Sequence, residues 1–359
     1  MATTSTPPSF PSTTVDNTSA SISSSTSVFT TIPHDILRAH ILTRLDGLSL
    51  VSTACTSNEL HSLSSQEDLW ANICHSTWPS TSTPRLRHVI SNFPSGPRSF
   101  FSHSFPLLLL SAAAAASPPM NRDRPPSELI SAVDIFYRGD LIFSKVVETE
   151  TASGWFRCSP FRIDMLEPKD TCHTPIPHPE SIDMCQRLGE DLTLSWILVD
   201  PDWARAMNVS GQRPVSVQRH WLSGEVHAQF SVVLAGGSRS GRGRRRGEWV
   251  QCGIVVTCGG GVEGGGMHVR GVTLQVEDLD GAYLNGKEAL GILDGAFEGR
   301  KGISGRRVRE GKRRYEEFLE MKRERKEREL KLEGTLDMLC VGFGVLLFAT
   351  LGLYYLLCR

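Results

Sequence analysis

Several features are scarce or missing in this chain of 359 residues, and each gap narrows what it can be. Charge is nearly balanced: 38 Lys and Arg face 39 Asp and Glu, for a net −1. No overall field therefore draws the chain to nucleic acid. The nine cysteines, at 55, 74, 158, 172, 185, 252, 258, 340 and 358, show no framework spacing. An odd, scattered set argues against a disulfide scaffold and for reduced thiols. The first 27 residues are rich in Ser, Thr and Pro and contain no Lys or Arg. That excludes the basic start of a secretory signal and the Arg-rich pattern of a transit peptide, and it fits a disordered start. Gly259–Gly266 is followed by no Lys-Ser/Thr, so it is not a phosphate-binding loop. Cys158, Cys172, His173, His178 and Cys185 lack the paired spacing of a structural zinc site. Asp200, Asp202, Glu277, Asp278 and Asp280 read as turn residues rather than a catalytic pair. No catalytic residue, cofactor site or metal site emerges.

One property is present in excess. Leu336–Leu357 reads LDMLCVGFGVLLFATLGLYYLL, with Asp337 as its single charge. Its 22 residues would span about 33 Å as a helix, against a hydrocarbon core of about 30 Å. Tyr354 and Tyr355 sit near one end, where interface aromatics collect. The expectation is a single transmembrane helix acting as a tail anchor. Lys and Arg crowd the upstream side, so the bulk of the chain is expected in the cytosol; the endoplasmic reticulum is the first guess for the membrane. Between Glu310 and Glu333 the sequence has no Pro, and Glu324/Arg328 and Glu327/Lys331 are favourable i,i+4 pairs. It reads as a solvated charged helix leading into the span.

The other end is apolar in a different way. Pro33 and Asp35 suit the first turn of a helix. Leu37, Ile41 and Leu45 fall on one stripe at i, i+4, i+8, flanked by Ile36 and Leu42, which is wider than an ordinary surface helix needs. Asp46-Gly47 is a turn signal. Leu48, Leu50, Val51, Ala54 and Cys55 form a second short apolar segment. Ser65-x-x-Asp68 reads as a capping box before Leu69, Trp70, Ile73 and Cys74. A helical piece of under about 50 residues cannot bury this much apolar surface alone. Periodicity leaves two readings open, a groove on a partner or packing against the rest of the chain.

The middle is expected to be β-rich. Ser127–Tyr137 suits a short helix. Strand-like runs follow at Leu141–Val147, Trp155–Phe161, Leu192–Val199, Val215–Trp221, Val226–Leu234, Trp249–Thr257 and Met267–Val276, separated by Gly-rich loops that include the basic patch Arg239–Arg246. Such a series suggests an antiparallel sandwich. Trp196, Trp203, Trp221 and Trp249 are expected in its core.

The stretch from Ile32 to Trp70 resembles an F-box. The resemblance rests on Ile32-Pro33, Ile41-Leu42-x-x-Leu45, Leu50-Val51, Cys55 and Leu69-Trp70. Thr56-Ser57-Asn58-Glu59 departs from the basic residue and Trp many members carry after the Cys. The region of Trp196-Ile-Leu-Val-Asp-Pro-Asp, Arg213-Pro-Val-Ser-Val-Gln-Arg-His-Trp, Val250-Gln-Cys-Gly-Ile-Val-Val-Thr-Cys-Gly and Val276-Glu-Asp-Leu-Asp-Gly resembles a plant F-box protein family, and in layout the chain is similar to phloem-lectin-type F-box proteins. These resemblances imply a non-catalytic receptor subunit of a Skp/cullin/F-box ubiquitin ligase. Its Skp-type adaptor, and through it a cullin–RING ligase, would contact Ile32, Pro33, Ile36, Leu37, Ile41, Leu42, Leu45, Leu50 and Val51. An unknown protein substrate would be the other partner, with the membrane held by 336–357 and no nucleic acid. The alternative is a tail-anchored ligand-binding or scaffold protein with no ubiquitin role. The expected fold class is α+β: a disordered 1–27, an F-box at 28–76, loop and linker at 77–126, a β-sandwich-like recognition domain at 127–300, a charged helix at 301–335 and a transmembrane helix at 336–357.

Overall fold

The computed structural model describes residues 32–106, 126–236, 249–260, 266–299 and 306–358, the side chains of 306–310 excepted. The disordered N-terminus expected at 1–27, residues 107–125 of the expected loop and linker and the basic patch at 239–246 lie outside the described residues; the described part of that loop and linker, 77–106, is largely helical. The fold mixes helices with antiparallel sheet: a helical N-terminal region, two sheets, and one long C-terminal helix.

The helical region begins with α1 (His34–Ile36), which runs on through a wide turn at Leu37–Ile41 and a tight one at Leu42–Arg44. Asp46 then caps α2 (Gly47–Ala54), its Oδ1 accepting from the Ser49 N–H at 2.8 Å. Ser57 caps α3 (Asn58–Ser64) in the same way, at 3.2 Å from Leu60 N. Both caps satisfy an orphan amide of the first turn. Helix α4 (Glu67–Thr77) starts one residue after Gln66, which makes no side-chain cap bond. The expected capping box at Ser65 is not formed, because the Ser65 hydroxyl donates back to His61 O at 2.6 Å and closes α3. Helices α5 (Pro84–Ser91) and α6 (Gly96–His103) each carry Pro in the first turn, where its missing N–H costs nothing. The aromatics of α6 fill the region's core. Phe101 lies 5.3 Å from both Trp70 and Trp78, and Phe100 meets Phe93 edge-on at 5.5 Å. Gly47 is required here, since a Cβ would sit 2.1 Å from the Phe101 ring.

The first sheet has the order β2-β1-β5-β6, from β1 (Glu128–Tyr137), β2 (Asp140–Glu150), β5 (Leu192–Asp200) and β6 (Arg205–Asn208). The second runs β3-β10-β9-β8-β7, from β3 (Arg162–Asp164), β7 (Ser216–Arg219), β8 (Val226–Ala235), β9 (Trp249–Gly259) and β10 (Gly266–Glu277), with β4 (Cys172–Pro177) also on β10. Among the described residues, the ladders between these strands are all antiparallel by register, from β1 on β5 to β8 on β9. Helix α7 (Gly154–Cys158) precedes β3, α8 (Ile182–Asp191) leads into β5, and α9 (Gly286–Phe297) follows β10.

Two expectations are corrected. Ser127–Tyr137 forms strand β1, not a helix. Leu129 through Ile135 are all buried, so the strand has no alternating exposed face and its adjacent apolar residues imitate helical spacing. Trp155–Phe161 is not a strand. Ser153 caps α7, its Oγ accepting from Phe156 N at 3.3 Å, and the chain turns helical there.

Burial on both faces is the central feature of the first sheet. Leu129, Val133 and Ile135 of β1 and Leu194, Trp196 and Leu198 of β5 share one core with Phe230, Ile254 and Leu274 of the second sheet. Ile130 and Ala132, with Ile197 and Val199, share another with Leu50, Trp70, Trp78 and Phe100 of the helical region. Asp134 lies at the helix-facing seam, fully buried, and accepts from Ser80 N at 2.9 Å, Ser80 Oγ at 2.6 Å and Ser144 Oγ at 2.7 Å.

Helix α10 (Arg306–Leu357) is continuous, and its C-terminal part is long and apolar enough to cross a membrane by length and composition. Its charged front is not purely solvated. Phe318 is fully buried against Val233 and Leu279, with Trp249 and Met321 alongside. Lys322 pairs with Glu277, Arg325 pairs with Asp280, and the Arg314 guanidinium lies 6.0 Å over Trp249.

Removing the Asp134 carboxylate strands Ser80 and its amide in the interior. Asp134→Ala is expected to cost about 2–3 kcal/mol in chemical denaturation of the detergent-solubilised chain. Burial pushes the Asp134 carboxyl above its ordinary value, and the Ser80 and Ser144 bonds pull it back only in part. A carboxyl raised on folding contributes stability that is fully present below about 3.9, and that is lost as the pH rises through the raised value. The stability of wild type minus that of Asp134→Asn should therefore fall as the pH is raised from roughly 3.5.

Candidate docking surface

The opening helical segment does not follow an ideal helix. Leu42 N–H bonds to Leu37 O, five residues back, which is the signature of a wide turn. The extra residue shifts the periodicity. Leu37 and Leu42 both point into the core, whereas the stripe Leu37, Ile41, Leu45 would have put Ile41 there too. Ile41 instead faces out at 41% exposure, beside Ile36 at 47%. On α2, Leu50 is buried, and Leu48 and Val51 are exposed at 46% and 40%. Pro33 is exposed; Ile32 and Leu45 are half-buried against the helical core.

The nine expected contact residues thus divide. Leu37, Leu42 and Leu50 are core residues that shape the surface from beneath. Pro33, Ile36, Ile41 and Val51 are on it, with Ile32 and Leu45 at its margin. Leu48 belongs with the exposed group and was not singled out, although its i,i+3 relation to Val51 is visible in the sequence. His34 pairs with Glu59, and Arg38 Nη2 lies 3.2 Å from Asp68 Oδ2, tying the segment to α3 and α4.

Several polar groups elsewhere are engaged in structure. Arg205, 8% exposed, meets Asp200 at 2.6 Å, Asp294 at 2.8 Å and Glu298 at 3.3 Å, with its guanidinium 4.8 Å over Phe297. It lines a cleft of about 280 Å³ with Ser102 and His103 of α6. Three carboxylates occupy this cation, so it braces α9 against β6. Asp202 accepts from Ser127 N at 2.7 Å, and Asp278 Oδ1 closes a turn by accepting from Asp280 N and Ala282 N at 3.0 and 2.9 Å. Among the described residues, no three His, Cys, Asp or Glu side chains converge as a metal site. The His173 ring lies 3.9 Å from that of His268, tilted by 48°, and His178 Nε2 lies 2.9 Å from Gly224 O. Burial pushes the Cys252 and Cys258 thiols up to about 12, which leaves them unreactive. Asn208, part of an N-x-S sequence, is buried and bonded to Ser195 Oγ at 3.0 Å, so the folded chain offers it to no enzyme. Trp196 is in the core as expected. Trp203 and Trp221 are exposed, contrary to expectation, and so is Trp155.

The helical region thus keeps the large apolar side chains of Ile36, Ile41, Leu48 and Val51 on its surface. Comparison with curated proteins gives the class. The chain is 47% identical over 343 residues to Probable F-box protein At2g36090 of Arabidopsis thaliana, covering 94% of this chain and 98% of that protein. F-box protein At2g27310 of the same plant is 39% identical over 91% of this chain and 96% of its own length. F-box protein At3g44326, also from Arabidopsis thaliana, is 42% identical over 90% of each. The chain belongs to this plant F-box protein family. No protein-family model matches it, and no solved structure does.

The division into buried and exposed residues has a stability signature. Leu50→Ala should cost about 2–5 kcal/mol, and Ile41→Ala less than about 1 kcal/mol. Arg205→Ala, which leaves Asp200 buried without its cation, should cost about 3–5 kcal/mol. Thermal and chemical denaturation check all three.

Proposed function

We propose that the protein is the substrate-recognition subunit of a Skp/cullin/F-box ubiquitin ligase, tethered to a membrane. The observation that carries this reading is the exposed apolar group Pro33, Ile36, Ile41, Leu48 and Val51 in the F-box of a chain from this family. The Skp-type adaptor would cover it, and Leu37, Leu42 and Leu50 would hold its shape. In this reading residues 28–76 form the F-box, and 127–300 form a sandwich-like domain that selects the protein substrate. Trp155, Trp203, Trp221 and Tyr283 are exposed aromatics there. The chain contributes no bond-making. It raises the effective concentration of substrate beside a ubiquitin-carrying enzyme held by the cullin–RING partner.

The apolar part of α10, residues 336–357, would cross the bilayer. Lys and Arg upstream of it keep the body cytosolic by the positive-inside rule, at the endoplasmic reticulum in the first instance. A scaffold or ligand-binding protein without a ubiquitin role is favoured by one observation, the packing of the helical region on β1 and β5. That packing uses the inner residues and leaves the outer ones free for a partner.

Binding of a purified Skp-type adaptor to the full chain in detergent separates the readings. Ile36→Asp and Ile41→Asp should each weaken it by about 2 kcal/mol, roughly thirtyfold, with an unchanged melting temperature. No binding by the wild type, or equal binding by the folded variants, would sink the ligase reading. Deletion of 336–357 should move the protein from the membrane to the soluble fraction; unchanged sedimentation with membranes would refute the anchor.

A further inference from the structure

We infer that α10 is a rigid strut that holds the body at one height and one orientation above the bilayer, and so restricts its substrates to segments lying in a layer close to the membrane. This rests on the reading of 336–357 as the membrane span.

Three observations carry it. First, α10 is unbroken from Arg306 to Leu357, and no Pro interrupts it. Second, its front is clamped. Phe318 is fully buried in a small core with Val233 of β8 and Leu279. Lys322 and Arg325 then pair with Glu277 and Asp280, at the end of β10 and in the turn that follows. Lys322 also lies over Gly281, where a Cβ would meet its Nζ at 3.4 Å. These contacts fall at 314, 318, 322 and 325, a single face of the helix at i,i+4 and i,i+3 spacing. A flexible tether would need none of them. Third, the contacts stop sharply. From Lys326 onward every described residue of the helix except Gly344 is exposed.

The distance between clamp and span is therefore fixed by helix geometry. From Arg325 to Leu336 is eleven residues, a stand-off of about 16 Å. A Gly/Ser tether of the same length would let the body swing and would reach further. Here the body and the span move as one piece, so each part of the recognition surface keeps its own height. Substrates with a cytosolic segment close to the same bilayer are reachable; those whose recognised segment stands far out are not. Gly334 is the one glycine between clamp and span, and the place where the strut is weakest.

Neutron reflectometry of the full chain in a supported bilayer reads the height directly. The wild type should give a narrow protein layer set off from the headgroups. Seven helix-forming residues inserted after Glu329 should move that layer outward by about 10 Å with no broadening, because seven residues make close to two turns and nearly preserve orientation. Phe318→Ala combined with Arg325→Glu should broaden the layer while membrane retention persists. A broad layer in the wild type, or one unmoved by the insertion, would overturn the strut and leave the anchor standing. A protein that is not retained on the bilayer at all would instead overturn the anchor, and the strut with it.

Discussion

The structure depends on a sheet covered on both faces. Strands β1 and β5 give alternate residues to two different cores: one set to the second sheet, the other to the helical region. Neither core closes without them. A helical piece the size of an F-box is marginal alone, and here its aromatic residues find their missing surface on Ile130, Ala132, Ile197 and Val199. Asp134 sets the register of this contact, since its three bonds join the turn at Ser80 to β1 and β2. A buried carboxylate is a costly element, but its loss would leave the Ser80 amide and hydroxyl unpaired in the same seam.

That arrangement frees the outer face of the helical region. With Leu37, Leu42 and Leu50 committed to the core, the apolar residues that remain outside have no internal task. The wide turn at Leu37–Ile41 decides which residues these are, by turning Ile36 and Ile41 outward together. The core and the exposed apolar surface thus draw on different side chains a residue or two apart. They can be tested by different substitutions.

The sequence was legible where one face of an element is solvated. The strands β8 and β10 alternate openly, as in Val226-His-Ala-Gln-Phe, and were readable from their period. β1 was not, because a strand buried on both sides loses the alternation that marks it. Helix α7 was hidden by the aromatic residues Trp155 and Phe156, whose β-propensity lost to the Ser153 cap. Helices α8 and α9 sit among strand signals that mask them, although Ser181 and Asn285 are ordinary caps. The motif at Ile32–Trp70 marks a helical segment, which the structure bears out, but its exposed apolar residues are not separable from its core in the sequence, because the shift from one to the other depends on a single inserted residue in a helical turn. The packing of the front of α10 is not visible in the sequence for a similar reason: Tyr315, Phe318 and Met321 are too few to form a heptad, yet Phe318 and Met321 pack on the body.

Hydrogen–deuterium exchange on the full chain, with and without a Skp-type adaptor, tests the central claim most directly. Protection should appear between Pro33 and Val51 and leave the strands of the second sheet unchanged. A complex that protects the sheets but not this segment, or no complex at all, would contradict the assignment of the exposed apolar group as the adaptor dock.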